Sequence, residues 1–145
     1  MSVVVETAAA ASQDLLDGLN HLLPQLSSTA PTLTMDDLET LIGAQSVSLL
    51  VARNEGTIVG SLTLVMFPIP TGTRAWIEDV VVDKDARSLG VGAALTNGAI
   101  DIAISHGART VDLTSRPSRE AANALYRKLG FEPRETNVYR FVIES

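Results

Sequence analysis

The chain has no cysteine, which excludes disulfides, a thiol nucleophile and cysteine-ligated zinc. Aromatics are scarce, with one Trp, two Tyr and three Phe, and there are two histidines. No spacing suggests Ser/His/Asp catalysis and no His/Asp/Glu cluster has metal-ligand spacing, so no metal is expected. His21 and His106 are expected to be structural. No apolar run approaches the ~20 residues of a membrane span. The opening Met1-Ser2-Val3-Val4-Val5-Glu6 lacks the basic segment of a secretory signal. The expectation is a cytoplasmic protein that does not engage a membrane. Bases are nearly missing from the first half, where residues 1–72 hold Arg53 against seven acids. The remainder balances ten against ten. An acidic half argues against nucleic acid as a partner and suits a cationic amine, although solubility alone also accounts for such a surface.

What is present suits one globular domain spanning residues 1–145, with 46% hydrophobic residues and a mean hydropathy of +0.21. Val3 to Glu6 reads as a first strand. Leu15, Leu16, Leu19, Leu22 and Leu23 recur at helical spacing from about Gln13 and stop before Pro24. After a loop from Ser27 to Pro31, Thr34-Met35-Asp36-Asp37 has the form of a capping box with Asp in place of Glu. It opens a helix through Leu38, Leu41 and Ile42 to Gly43. Strands follow at Ser46–Arg53 and Thr57–Phe67 around an Asn54-Glu55-Gly56 turn, then, after Pro68 to Gly72, at Arg74–Val82. A helix after Gly90 keeps Val91, Leu95, Ala99 and Ile102 on one face and ends at His106-Gly107. Within it, Gly98 marks a close packing position. Thr110–Thr114 is the next strand, parallel to Val80–Val82 through a right-handed crossover. Ser118 caps a last helix through Leu125 and Leu129 to Gly130, and Val138 to Ile143 closes the sheet or pairs across a homodimer. The expected fold is mixed α/β in three layers. Its mostly antiparallel sheet has about six to seven strands, with about four helices.

The central stretch is Trp76-Ile77-Glu78-Asp79-Val80-Val81-Val82, then Asp83 to Ala86, then Arg87-Ser88-Leu89-Gly90-Val91-Gly92-Ala93. Three successive valines read as a buried strand. Gly90 and Gly92 allow close backbone approach where a helix begins. Unpaired N–H groups and the positive dipole end converge there as an anion site. A dinucleotide fingerprint would need glycine where Leu95 stands, although Asp112 lies about where its ribose-binding acid belongs. That motif also normally follows the first strand of a βαβ series. A phosphate-loop NTPase would need Gly-Lys-Ser/Thr, which is missing.

Arg87-x-x-Gly90-x-Gly92-Ala93, entered from Ile77 to Asp83, resembles the acetyl-CoA signature of the GNAT superfamily of N-acetyltransferases, Arg/Gln-x-x-Gly-x-Gly/Ala. Asn123-Ala124-Leu125-Tyr126-Arg127-Lys128-Leu129-Gly130-Phe131 is similar to that family's Leu-Tyr-x-x-x-Gly-Phe ending. The resemblance covers about residues 74–141 well. Ser88 replaces a frequent glycine, and the family asparagine often lies nearer the position of Arg119 than of Asn123. The resemblance implies that Arg87 and the N–H groups from Leu89 to Ala93, with Ser88 between them, take the pyrophosphate of acetyl-CoA. It implies that backbone at Val80, Val81 and Val82 pairs with the pantetheine arm. Asn123 would bond the cofactor arm or stand as a plain surface amide, and Arg116 and Arg119 would meet the 3′-phosphate or remain solvated.

Transfer to nitrogen needs a neutral amine, and a carboxylate at this strand end can remove its proton directly or through water. Similar Ile/Leu-Glu-Asp segments in family members acting on polyamines and on glucosamine 6-phosphate favour Glu78 over Asp79 as that base. The family tyrosine corresponds to Tyr126, which would protonate the thiolate leaving group. Trp76 and Tyr139 are candidates for the acceptor pocket or the core. The implied activity is acetyl-CoA-dependent N-acetylation of a primary amine, on a small molecule or peptide, by direct attack in a ternary complex. A non-catalytic acyl-CoA-binding or sensing module would need neither Glu78 nor Tyr126.

Overall fold

The computed structural model describes residues 3–143, which form two compact units dividing between Thr114 and Ser115. The first unit holds β1 (Val3–Thr7), α1 (Gln13–Leu26), α2 (Met35–Gly43), β2 (Val47–Asn54), β3 (Thr57–Ile69) and β4 (Gly72–Val82). A 3-10 helix (Lys84–Leu89), α3 (Val91–Ser105) and β5 (Thr110–Asp112) complete it. The sheet order is β1-β2-β3-β4-β5. The first four strands run antiparallel in sequence, and β5 joins β4 in parallel. This is the mixed α/β architecture expected, with five strands among the described residues rather than six or seven.

Local chemistry explains most boundaries. Ser12 caps α1 through Leu15 N–H, and Thr34 and Asp37 form the reciprocal capping box of α2. Glu55 and Gly56 both have positive φ, the two-residue hairpin geometry whose twist suits flanking strands. Strand alternation then sorts the core into two layers. Leu49 and Val51 of β2, with Ile58 and Val81, pack beneath Leu15, Leu19 and Leu22 of α1 and Leu38 of α2. On the opposite face α3 buries Val91, Leu95, Thr96, Ala99 and Ala103 and packs against β1 to β4. Each fully buried leucine contributes about 1.5–3 kcal/mol. Thr96 is accommodated because its hydroxyl donates to Gly92 O at 2.8 Å. At Gly98 a Cβ would lie 3.3 Å from both Leu50 and Val5, the close packing that its place in the helix suggested.

Four expectations are corrected. Helix α1 runs through Pro24 to Leu26, because proline so near the C-terminus forfeits one internal hydrogen bond while Leu26 still packs against the core. In α3 the buried face is completed by Thr96 and Ala103, with Ile102 only half-buried. The second unit contains α4 (Glu120–Lys128), whose N-cap is Arg119 without a side-chain cap, not Ser118. The strand expected at Val138–Ile143 is not formed, and Tyr139 and Phe141 are 88% and 89% exposed. Alternation supplies a strand's period but not its partner, and among the described residues this stretch has none.

Candidate active site

Strand β4 is interrupted where the candidate base lies. Glu78 pairs with Thr63 and Val81 with Ser61, so Asp79 and Val80 together face Leu62. This is a β-bulge, and Asp79 sits at φ 47°, a left-handed conformation that aspartate tolerates better than most residues. The extra residue has a consequence for direction. Glu78 and Val81 are three apart, which on a regular strand would place them on opposite faces. With the bulge they share one face, as do their partners Thr63 and Ser61. Val81 is buried under α1, whereas Glu78 is exposed beside half-buried Trp76. Glu78 forms no ion pair within 4 Å among the described residues. Its carboxylate is therefore open to a ligand or water. Asp79 is also exposed, but its backbone conformation shows it as the pivot of the bulge.

Strand β5 pairs with β4 only at Arg74 to Trp76 and not at Val80–Val82 as expected, because periodicity gives a strand's direction but not its register along a partner. From Ile77 to Val82, β4 has no strand partner on that side among the described residues, an open edge of about 20 Å. Asp83 N–H donates to Val59 O at 2.8 Å on the β3 side. Alternation therefore turns the N–H and C=O groups of Val82 and Val80 toward the open side. Val81 contributes its side chain to the core. An extended amide-containing arm can add to such an edge as a strand does.

The chain then enters the 3-10 helix, and Gly90 closes it in the left-handed region at φ 73° while starting α3. The first internal bond of α3 runs from Ala94 N–H to Gly90 O at 3.0 Å, leaving the N–H groups of Val91, Gly92 and Ala93 ahead of the ladder. Helices α1, α2 and α4 each carry an acid in the first turn. α3 has neither an acid there nor a side-chain cap. Its partial positive charge is thus left for an external anion. Arg87 and Ser88 are exposed just before it, and Leu89 is half-buried.

A feature missed in the sequence is Gly60 of β3. A Cβ there would lie 2.6 Å from Val91 Cγ1 and 3.0 Å from Leu95 Cδ1, so its hydrogen lets the first turn of α3 sit close on the sheet. The only signal was a lone glycine within a strand pattern. His21 and Gln25 were also missed as neighbours of this region. His21 Nε2 donates to Asp83 Oδ2 at 3.0 Å, and Lys84 N–H donates to Gln25 Oε1 at 2.9 Å. The N–H of Asp85, and then His21, hold the Asp83 carboxyl below the usual carboxylate range.

In the second unit Tyr126 is the buried side chain of α4. Its ring meets Phe131 edge-on at 5.8 Å, and Phe131 N–H donates to Tyr126 O. Burial pushes the phenol pKa up, opposed by the charge of Arg119, so the group keeps its proton at neutral pH. Asn123 lies one turn earlier and its Nδ2 donates to Arg116 O at 3.0 Å, which ties that amide to the preceding turn. Arg116 and Arg119 are exposed.

The first unit thus brings together Glu78, the Val80–Val82 backbone and the Arg87–Ala93 loop. Two depressions of that unit lie elsewhere. One of about 230 Å³ is lined by Thr71, Thr73, Arg74 and Arg109, and one of about 180 Å³ by Glu6, Ala9, Ser12 and Arg53. The candidate site is an open strand edge and helix end, not an enclosed cavity. Among the described residues no group of three metal-ligating side chains occurs, and no helix is long and apolar enough to cross a membrane.

The family model of the acetyltransferase (GNAT) family matches residues 15–131 and runs across both units. The chain belongs to this family. It is 41% identical over 61 residues to an uncharacterized N-acetyltransferase of Methanocaldococcus jannaschii, covering 42% of this chain and 27% of the relative. It is 43% identical over 83 residues to a glucosamine 6-phosphate N-acetyltransferase of Trypanosoma brucei brucei, covering 55% of this chain and 54% of the relative. The chain therefore spans about a quarter to a half of the curated relatives it matches. The solved structure of an acetyltransferase from Trypanosoma brucei superposes with a TM-score of 0.79 at 27% identity, covering 97% of this chain and all of that one.

Proposed function

We propose that the protein is an acetyl-CoA-dependent N-acetyltransferase that acetylates a primary amine of a small molecule or peptide in a ternary complex. The observation that carries this reading is the uncapped, acid-free N-terminus of α3 directly following the open edge of β4. A pyrophosphate fits the first, accepting from the N–H groups of Val91, Gly92 and Ala93 with Arg87 nearby. A pantetheine arm fits the second, through the backbone of Val80 and Val82.

When bound, acetyl-CoA supplies the acetyl group as a thioester. Glu78 accepts the proton of the incoming ammonium, directly or through water, which leaves a neutral amine with a free lone pair. Tyr126 holds a proton for the departing sulfur, as a phenol is protonated at neutral pH. No covalent acetyl-enzyme is expected, because the chain has no cysteine and no activated serine is apparent. The acidic first half supports a cationic acceptor. The name of the Trypanosoma brucei brucei relative adds amino-sugar phosphates to the acceptors worth testing.

Calorimetric titration with acetyl-CoA, with NADH and dephospho-CoA as controls, tests the reading. Saturable acetyl-CoA binding is expected, followed by amine-dependent thiol release in a screen of polyamines, amino sugars and peptide N-termini. No binding of acetyl-CoA would refute it. Binding without thiol release for any amine would instead indicate a sensing module.

A further inference from the structure

The turn that leads into the α3 loop is held from outside its own segment. Asp83 ends the β4 hydrogen-bonding pattern by donating its N–H to Val59 O at 2.8 Å. Its Oδ1 accepts from Asp85 N–H at 3.1 Å, which caps the 3-10 helix. Its Oδ2 accepts from His21 Nε2 at 3.0 Å. The next backbone group, Lys84 N–H, donates to Gln25 Oε1 at 2.9 Å. His21 and Gln25 are four apart and therefore lie on one face of α1.

The two anchors differ in kind from ordinary surface contacts. The Asp83 side chain is only 13% exposed although His21 is 64% exposed. An exposed ring thus satisfies a nearly buried carboxylate, toward which the Gln25 side chain also contributes, so that losing both costs more than a surface bond. Gln25 takes up a backbone N–H at the first residue of the 3-10 helix, where no internal partner exists. From the other side, Val91 and Leu95 seat the start of α3 over Gly60. The segment between these two clamps is Lys84 to Gly90, which ends in the left-handed turn that aims the free N–H groups of α3.

We infer that His21 and Gln25 are positioning residues for the anion-binding loop: by fixing Asp83 and Lys84, α1 sets how the first turn of α3 is presented to the pyrophosphate of acetyl-CoA. The inference rests on the acetyltransferase reading above, and neither side chain touches the cofactor in it. Pre-set geometry raises affinity by removing an ordering cost from binding. Loss of the clamp therefore shows first as weaker coenzyme binding. The chemical step, which uses Glu78 and Tyr126, is little changed once the site is saturated.

The test compares wild type with His21→Leu, Gln25→Leu, the double variant and His21→Gln, whose amide nitrogen reaches about as far as Nε2. Coenzyme A affinity is measured by calorimetry, with KM for acetyl-CoA and kcat for any amine found to be acetylated. The double variant is expected to bind about three- to tenfold more weakly, the range of a lost hydrogen bond. Its KM should rise in step and its kcat should stay within about twofold. His21→Gln should recover wild-type affinity within about twofold, and His21→Leu should add nothing in an Asp83→Asn background. Hydrogen exchange of residues 84–93 provides a second readout, faster in His21→Leu. Equal affinity and equal exchange in wild type and the double variant would overturn this inference alone. Failure of the wild type to bind coenzyme A would overturn the parent reading and this inference with it.

Discussion

Replacing Gly60 with alanine probes the packing that seats α3. The added Cβ would lie 2.6 Å from Val91 Cγ1, 3.0 Å from Leu95 Cδ1 and 3.3 Å from Val81 O. Leu95 can turn aside at its flexible end. Val91 is β-branched and stiff at χ1, and Val81 O belongs to the backbone of β4, so the strain falls on the first residue of α3. Overpacking of this kind costs about 1–3 kcal/mol. Loss of glycine's freedom in the unfolded chain returns about 0.4–1 kcal/mol. The net expectation is a destabilisation of about 1–2 kcal/mol, a lowering of Tm by about 3–8 °C for a chain of this size. Urea unfolding followed by the fluorescence of Trp76, the sole tryptophan, measures it. Coenzyme A titration of the folded variant should show weakened binding, because the displaced turn is the one carrying the free N–H groups. An unchanged midpoint with unchanged affinity would mean that α3 is not seated on β3 at this point, and the argument from close packing would fall.

Further predictions concern the proposed chemistry and its pH dependence. Tyr126→Phe should lower kcat by about 10²-fold while leaving acetyl-CoA affinity nearly intact; unchanged turnover would remove the acid role. Glu78→Gln should reduce the rate most at low pH, where more of the amine arrives protonated, and a uniform loss across pH would count against its role as base. Asp79→Gly should preserve fold and turnover, since glycine adopts the bulge's positive φ freely, whereas an equal loss in this variant would move the base role to Asp79. The phenol of Tyr126 keeps its proton above the ordinary value near 10. The unfolded chain ionises first as pH rises, so stability should fall from about pH 10 up to the folded value. An ultraviolet titration showing Tyr126 ionising at the ordinary value would contradict the burial argument.

Much of the candidate site was legible in the sequence. Apolar periodicity placed α1 and α2, the Thr34/Asp37 pair marked a cap, and Gly90 and Gly92 located the start of α3. Those signals are local, each readable within one or two turns of chain. The errors came where the outcome depends on something distant. Pro24 reads as a stop, yet α1 continues because its next leucine finds the core, and that extra turn carries Gln25 to Lys84. Val138 to Ile143 has a strand's composition but no strand partner among the described residues.

The sequence by itself determined the order of strands and helices as far as α4, the family and the chemical character of the loop. The elements follow from periodicity and capping and the loop from glycine placement, properties of neighbouring residues, and the family from the resemblance of two short motifs. Only the tertiary structure decided the direction of Glu78, because a one-residue bulge reverses which face a side chain takes and is visible only in the register with β3. It likewise decided that Gly60 makes room for Val91 and that His21 reaches Asp83, 62 positions along the chain. Such contacts are set by how layers stack, and a pattern along one strand or helix holds no record of what packs against it.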